Sequence, residues 1–140
     1  MNKQALAERI AGVIEREDRA SRWLGMRLEE VKPGAARLSM RVTEHMVNGQ
    51  QVCHGGLIFA LADSSFGYAC NTHNHRALAA SCAIDFLAPA QLGDELIAEA
   101  AEVARAGRAS LYDVRVTNQH GELIALFRGK AAIVKGAWVE

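Results

Sequence analysis

The stretch "CHGGLIFALADSSFGYACN", residues 53–71, constrains this chain more than any other. Leu57, Ile58, Phe59, Leu61, Phe66 and Tyr68 fall on nearly every side of a helix drawn through it. A helix that is apolar all round cannot lie on a surface and has to be enclosed by the rest of the fold. The same stretch opens on His54, Gly55 and Gly56 and carries a single carboxylate, Asp63. A competing reading splits it into a strand over "LIFALA" and a helix N-capped by Asp63. Alanine-rich, unbroken spacing favours one helix over 55–71.

The flanking sequence supplies the enclosure. Leu6, Ile10, Val13 and Ile14 sit at helical spacing within residues 4–16, an amphipathic first helix. One or two short strands are expected over 26–42, broken where Pro33 and Gly34 force a turn. Residues 43–52 read as irregular, with a turn at Asn48-Gly49. After the helix come four antiparallel strands: "ALAASCAIDFLAP", stopping at Pro89, then "ELIAEAAEVAR", "SLYDVRVTN" and "LIALFRGKAAIV". In the third, Tyr112, Val114 and Val116 alternate with Asp113, Arg115 and Thr117, the pattern of a half-buried strand. One buried helix followed by an antiparallel meander implies an α+β domain spanning 1–140, a curved sheet wrapped round a central helix: the hotdog arrangement.

Composition removes several functions. Sixteen basic residues balance sixteen acidic ones, so no global field favours nucleic acid or an anionic membrane. No apolar run approaches the ~20 residues needed to span a bilayer. The opening "MNKQALAERIAGVIEREDRA" mixes both charge signs and lacks the apolar core of a secretory signal. Three cysteines without a CxxC pair suit reduced thiols and a cytoplasmic protein.

The chemistry concentrates at the central helix. Its N-terminus presents unpaired N–H groups and partial positive charge, which suit a developing anion. Gly55 and Gly56 would let a carbonyl approach that backbone without a Cβ in the way, as an oxyanion hole requires. Equally, they could form a tight helix start capped by His54. Asp63 is costly in an apolar helix unless paired or hydrated. It lies eight residues beyond Gly55, about 12 Å along the axis, whereas catalytic contacts need about 3 Å. Two copies of the helix packed antiparallel would bring Asp63 of one to Gly55 of the other, and Ala60 and Gly67 keep the helix slim enough for that. A structural Asp63 bonded to Ser64, Ser65 or backbone is the alternative.

"NGQQVCHGG", "LADSSFGYACN" and "IDFLAPAQLGDELIAEA" together resemble the phenylacetic acid degradation (PaaI-type) thioesterases of the hotdog superfamily, over about residues 24–132. The resemblance implies that the Gly55 N–H polarises a thioester carbonyl and that a neighbouring subunit supplies the catalytic Asp63, as general base on water or as nucleophile forming a mixed anhydride. It gives Asn48 and His54 substrate-orienting roles and places a water-holding hydroxyl at Ser81. Gly56 and Ser64 are expected to border the substrate. The implied substrate is an acyl-coenzyme A, with aryl-acetyl or short-to-medium acyl groups, and the implied assembly is a homodimer or a tetramer built from two dimers. No cofactor or metal is expected.

Other groupings carry less. Cys53 and His54 lie about 24 Å from Cys70, His73 and His75 across the helix, too far to share a zinc ion with ligand distances near 2.3 Å. Cys53 and Cys70 read as buried structural cysteines rather than nucleophiles. Arg105, Arg108, Arg128 and Lys130 could hold coenzyme A phosphates, Arg108 being the residue expected to do so, or could be solvated strand charges. A hotdog protein that binds acyl-coenzyme A without turnover would gain nothing from a buried Asp63. A hotdog dehydratase would show a proline-rich segment after its His, absent here.

Overall fold

The structure, a computed structural model, describes all of residues 1–140. Helix α1 spans Lys3–Glu17, N-capped by Asn2, whose side chain accepts from the Ala5 N–H at 2.7 Å. It buries Ala7, Ile10 and Ala11, while Leu6 and Val13 are only half-buried. A short helix α2, Arg19–Trp23, follows directly, and Asp18 starts it by accepting from the Ser21 N–H at 3.0 Å. Five residues carry too little periodicity to be read from sequence, so α2 was not expected. Strands β1 (Arg27–Lys32) and β2 (Ala35–Arg41) form a hairpin on the Pro33-Gly34 turn, and a 3-10 turn at Glu44–Met46 leads towards the central helix.

Helix α3 spans Gly55–Cys70 as one element. It stops one residue short of the expected end because Asn71 turns its amide back, donating to the carbonyls of Gly67 (2.8 Å) and Ala77 (3.3 Å). Ser65 anchors it to the sheet, its hydroxyl 2.9 Å from the Ala36 carbonyl and 3.1 Å from that of Ala98. Phe66, fully buried, stacks against Tyr112 and Phe127 at ring-centroid distances of 5.7 and 5.8 Å. Gly129 leaves room for that ring: a Cβ there would lie 2.8 Å from it.

Strands β3 (Ala77–Phe86), β4 (Glu95–Ala106), β5 (Ala109–Thr117) and β6 (Leu123–Ile133) complete one antiparallel sheet in the order β1-β2-β4-β5-β6-β3. Four C-terminal strands were expected, and four are present. Only β4, β5 and β6 form a meander, however; β3 pairs with β6, not with β4. The cause lies in residues 87–94. The Leu87 and Ala88 N–H groups turn to the Ile124 carbonyl, so β3 ends at Phe86 rather than Pro89. The chain then bonds Cys53 N–H to Ala90 O and Gly93 N–H to Val42 O, both at 2.8 Å, which delivers β4 beside β2. On β5, Tyr112, Val114 and Val116 face the core as their alternation implies.

Two details position the site. Helix α3 is not enclosed on every side: Ala60, Asp63, Ser64 and Gly67 share one half-exposed stripe. The two edges of the sheet also differ. Edge β1 is six residues long, bulged between Leu28 and Glu30, and carries Arg27, Glu29, Glu30 and Lys32 in ion pairs. Edge β3 is ten residues long and also shifts register, between Ala79 and Ser81, but it is uncharged there, with Leu78 64% exposed and Ala79, Ala80 and Ser81 open to solvent. No helix is long and apolar enough to cross a membrane.

Candidate active site

The start of α3 is set by His54, the N-cap, whose Nδ1 accepts from the Gly56 N–H at 3.1 Å. That bond leaves the Gly55 N–H with no acceptor in the fold. The first turn of α3 therefore offers one free donor at the positive end of a sixteen-residue helix dipole. Phe86 closes over it: a Cβ on Gly55 would stand 3.1 Å from the ring. Gly55 and Phe86 line an open cavity of about 330 Å³ with Cys53, Ile58, Leu87 and Pro89.

Two turns down the helix, Asp63 lines a second cavity of about 300 Å³, with Phe66, Gly67, Tyr68, Leu78 and Trp138 among its walls. Burial pushes its carboxyl above the usual carboxylate range, and no cation or hydrogen-bond donor acts on it to offset that. The neighbouring serines do not satisfy it. Ser65 is committed to the sheet, and the Ser64 hydroxyl sits 3.2 Å from Ser21 Oγ, itself 2.6 Å from Asp18 Oδ2. Within one chain Asp63 and Gly55 remain about 12 Å apart along α3, on separate cavities.

The other expected residues are spread around these two points. Asn48 uses its side-chain oxygen inside its own loop, accepting from the Gln50 N–H at 2.8 Å, so it shapes the approach to His54. Ser81 is exposed on the β3 edge, opposite Lys130 of β6. Arg108 lies in the β4–β5 turn; the register Ala109–Ala132–Leu78 puts it at the sheet end that borders the Asp63 cavity, two strands away. Arg128 is held by Asp113 at 2.7 and 2.9 Å. The thiols are poor nucleophiles, since burial pushes Cys53 up to about 11 and Cys70 up to about 12. The sequence reading missed Asp18 and Trp138, which border the Asp63 cavity from distant parts of the chain. A tryptophan within the polar "KGAWVE" is the one signal that could have marked the second.

One antiparallel sheet packed round a single long central helix is the hotdog arrangement. The sequence profile of the thioesterase superfamily matches residues 50–125, and the chain belongs to that family. Thioester hydrolysis is the enzyme class that this membership carries.

The resemblance to the PaaI type holds at the level of whole chains. The acyl-coenzyme A thioesterase PaaI of Escherichia coli K12 is 40% identical over 126 residues, 90% of each chain. A putative esterase of Archaeoglobus fulgidus is 37% identical over 127 residues, 91% of this chain and 82% of that protein. The solved structure of the E. coli PaaI protein from the phenylacetic acid degradation operon superposes with a TM-score of 0.95 at 38% identity, covering 97% of this chain and 99% of that one.

Proposed function

We propose that the protein hydrolyses acyl-coenzyme A thioesters, favouring aryl-acetyl or short-to-medium acyl groups, at sites shared between two copies of this chain. In this reading residues 1–140 act as one catalytic domain per protomer in the cytoplasm, assembled as a dimer or as two dimers. The observation that carries it is the unpartnered carboxylate of Asp63, held desolvated on the same helix as a free Gly55 N–H but too far from it to share a substrate.

The bare β3 edge and the half-exposed stripe of α3 support the pairing, because both would be covered if a second copy added its β3 antiparallel to the first. The thioester carbonyl oxygen then accepts from Gly55 N–H of one copy, where the helix dipole favours negative charge. Asp63 of the other copy takes a proton from water as the water oxygen attacks the carbonyl carbon. The tetrahedral oxyanion collapses, the C–S bond breaks, and the proton passes to the departing thiolate, giving free acid and coenzyme A. A carboxylate raised by burial is a better base near neutral pH than an ordinary one. His54 holds the helix start in shape, Asn48 the loop before it, and Ser81 on the β3 edge offers a hydroxyl to the water. Gly56 and Ser64 border the two halves, and Arg108 is placed to meet coenzyme A phosphate.

Incubation with phenylacetyl-coenzyme A and a colorimetric thiol reagent tests the reading. Thiol release is expected and should survive a chelator. No release from any acyl-coenzyme A would overturn the assignment, and chelator-sensitive activity restored by zinc would overturn the metal-free mechanism.

A further inference from the structure

The Asp63 cavity has a far end, and the segment after β6 builds it. Asn71, 5% exposed, accepts from the indole N–H of Trp138 at 2.7 Å through the same Oδ1 that accepts from the Ala77 N–H at 2.9 Å. Asn74 grips the backbone on either side, its Oδ1 accepting from the Trp138 and Val139 N–H groups at 3.0 and 3.1 Å and its Nδ2 donating to the Val139 carbonyl at 2.8 Å. The Arg76 guanidinium lies over the indole face, 4.1 Å from its centroid. Val134 N–H bonds Arg76 O at 2.7 Å, and Arg76 N–H bonds Gly136 O at 3.1 Å, extending the grip upstream. Two of these contacts, from Asn71 and Arg76, hold the indole itself, and the others pin the backbone that carries it.

That ring stands at the Asn71 end of α3, eight residues and about 12 Å along the axis from Asp63. Between the two the cavity is mostly apolar, walled by Ile14, Tyr68 and Leu78 with Asp18 and Ser64 on its border, and in the single chain it is open over Gly67, where a Cβ would meet nothing within 4 Å. The geometry points to Trp138 as the end wall of an acyl pocket that begins at Asp63, so that the indole sets the longest acyl group accepted. This rests on the thioesterase reading above. With C–C bonds of about 1.5 Å an extended chain advances about 1.3 Å per carbon, so 12 Å accommodates a phenylacetyl group or a chain of roughly eight carbons. Longer chains collide with the indole, which cannot swing away without breaking the bond to Asn71.

The test is the dependence of kcat/KM on acyl length in the full chain. For the natural sequence kcat/KM should rise about fourfold per added methylene, the usual gain from burying one, and fall beyond about eight carbons. Trp138→Ala should move that break at least two carbons longer and lower the efficiency with phenylacetyl-coenzyme A about tenfold or more, while acetyl-coenzyme A changes little. An unchanged length profile in an active Trp138→Ala enzyme overturns the inference and leaves the thioesterase reading standing. Absence of hydrolysis by the natural sequence overturns both. A second measurement covers a variant that fails to fold: Trp138 is one of only two tryptophans, and Trp23 is 87% exposed. In Trp23→Phe protein, Trp138 emission should respond to a non-hydrolysable octanoyl thioether of coenzyme A and not to coenzyme A alone. Equal responses, or none while the thioether binds, would refute the placement.

Discussion

Mixing two inactive variants separates a shared site from a site within one chain, and the structure says which two to mix. Asp63→Asn keeps shape and removes the base, so kcat should fall about 100-fold or more. Gly55→Pro deletes the free N–H and should cost a similar factor, the weight of one oxyanion donor. Proline is tolerated there: Gly55 is the first residue of α3, a position proline favours, and His54 already holds φ −59° and ψ 129°, which suits a residue preceding proline. The ring crowding falls on Phe86, half-exposed and free to move. Random reassortment of equal amounts makes half the dimers mixed. Each mixed dimer holds one doubly damaged site and one intact site, so about a quarter of the natural activity should return. The assay is thiol release before and after co-refolding, with exchange verified by mass-tagged subunits. Verified exchange without recovery would refute the shared site.

Asp63 also links activity to pH and to stability. Its folded-state carboxyl is raised, so activity should need its ionised form and show an acid limb above the ordinary value of about 4. Between the unfolded and folded values the folded state holds the extra proton, so Asp63 weakens the fold progressively as pH rises through that window and fully above it. Asp63→Asn should therefore melt higher than the natural sequence at neutral pH and lose that advantage towards pH 4; equal melting at both pH values would contradict the desolvation argument. Gly129→Ala drives a methyl to 2.8 Å from the Phe66 ring, which Tyr112 and Phe127 hold in place, so urea unfolding should register a loss of about 1–3 kcal/mol, and a neutral result would mean that the ring can move.

The central helix was legible in sequence because its signal is local. Spacing through Leu57, Leu61 and Tyr68 and the His-Gly-Gly start place α3 to within one residue, and the β5 alternation names its buried face. What escaped depends on contacts between distant residues. The partner of β3 is decided by backbone bonds that residues 87–94 make to Val42 and Cys53, which no pattern within β3 reveals. The half-open stripe of α3, by contrast, contains Ala60 and Gly67, the small residues that the sequence already marked as its slim face. For the site, Gly55 and Asp63 stood out because each is chemically odd in an apolar helix. Trp138 did not, because its placement needs two asparagines more than sixty residues earlier in the chain.

The inequality of the two sheet edges has a consequence for how association stops. Unpaired strands invite further strands, and a protein with two inviting edges can polymerise without limit. Here the invitation is confined to β3. Were two copies to join through it, the continuous sheet would terminate at both ends in β1, shorter and studded with paired charges. Growth by strand addition is therefore self-limiting.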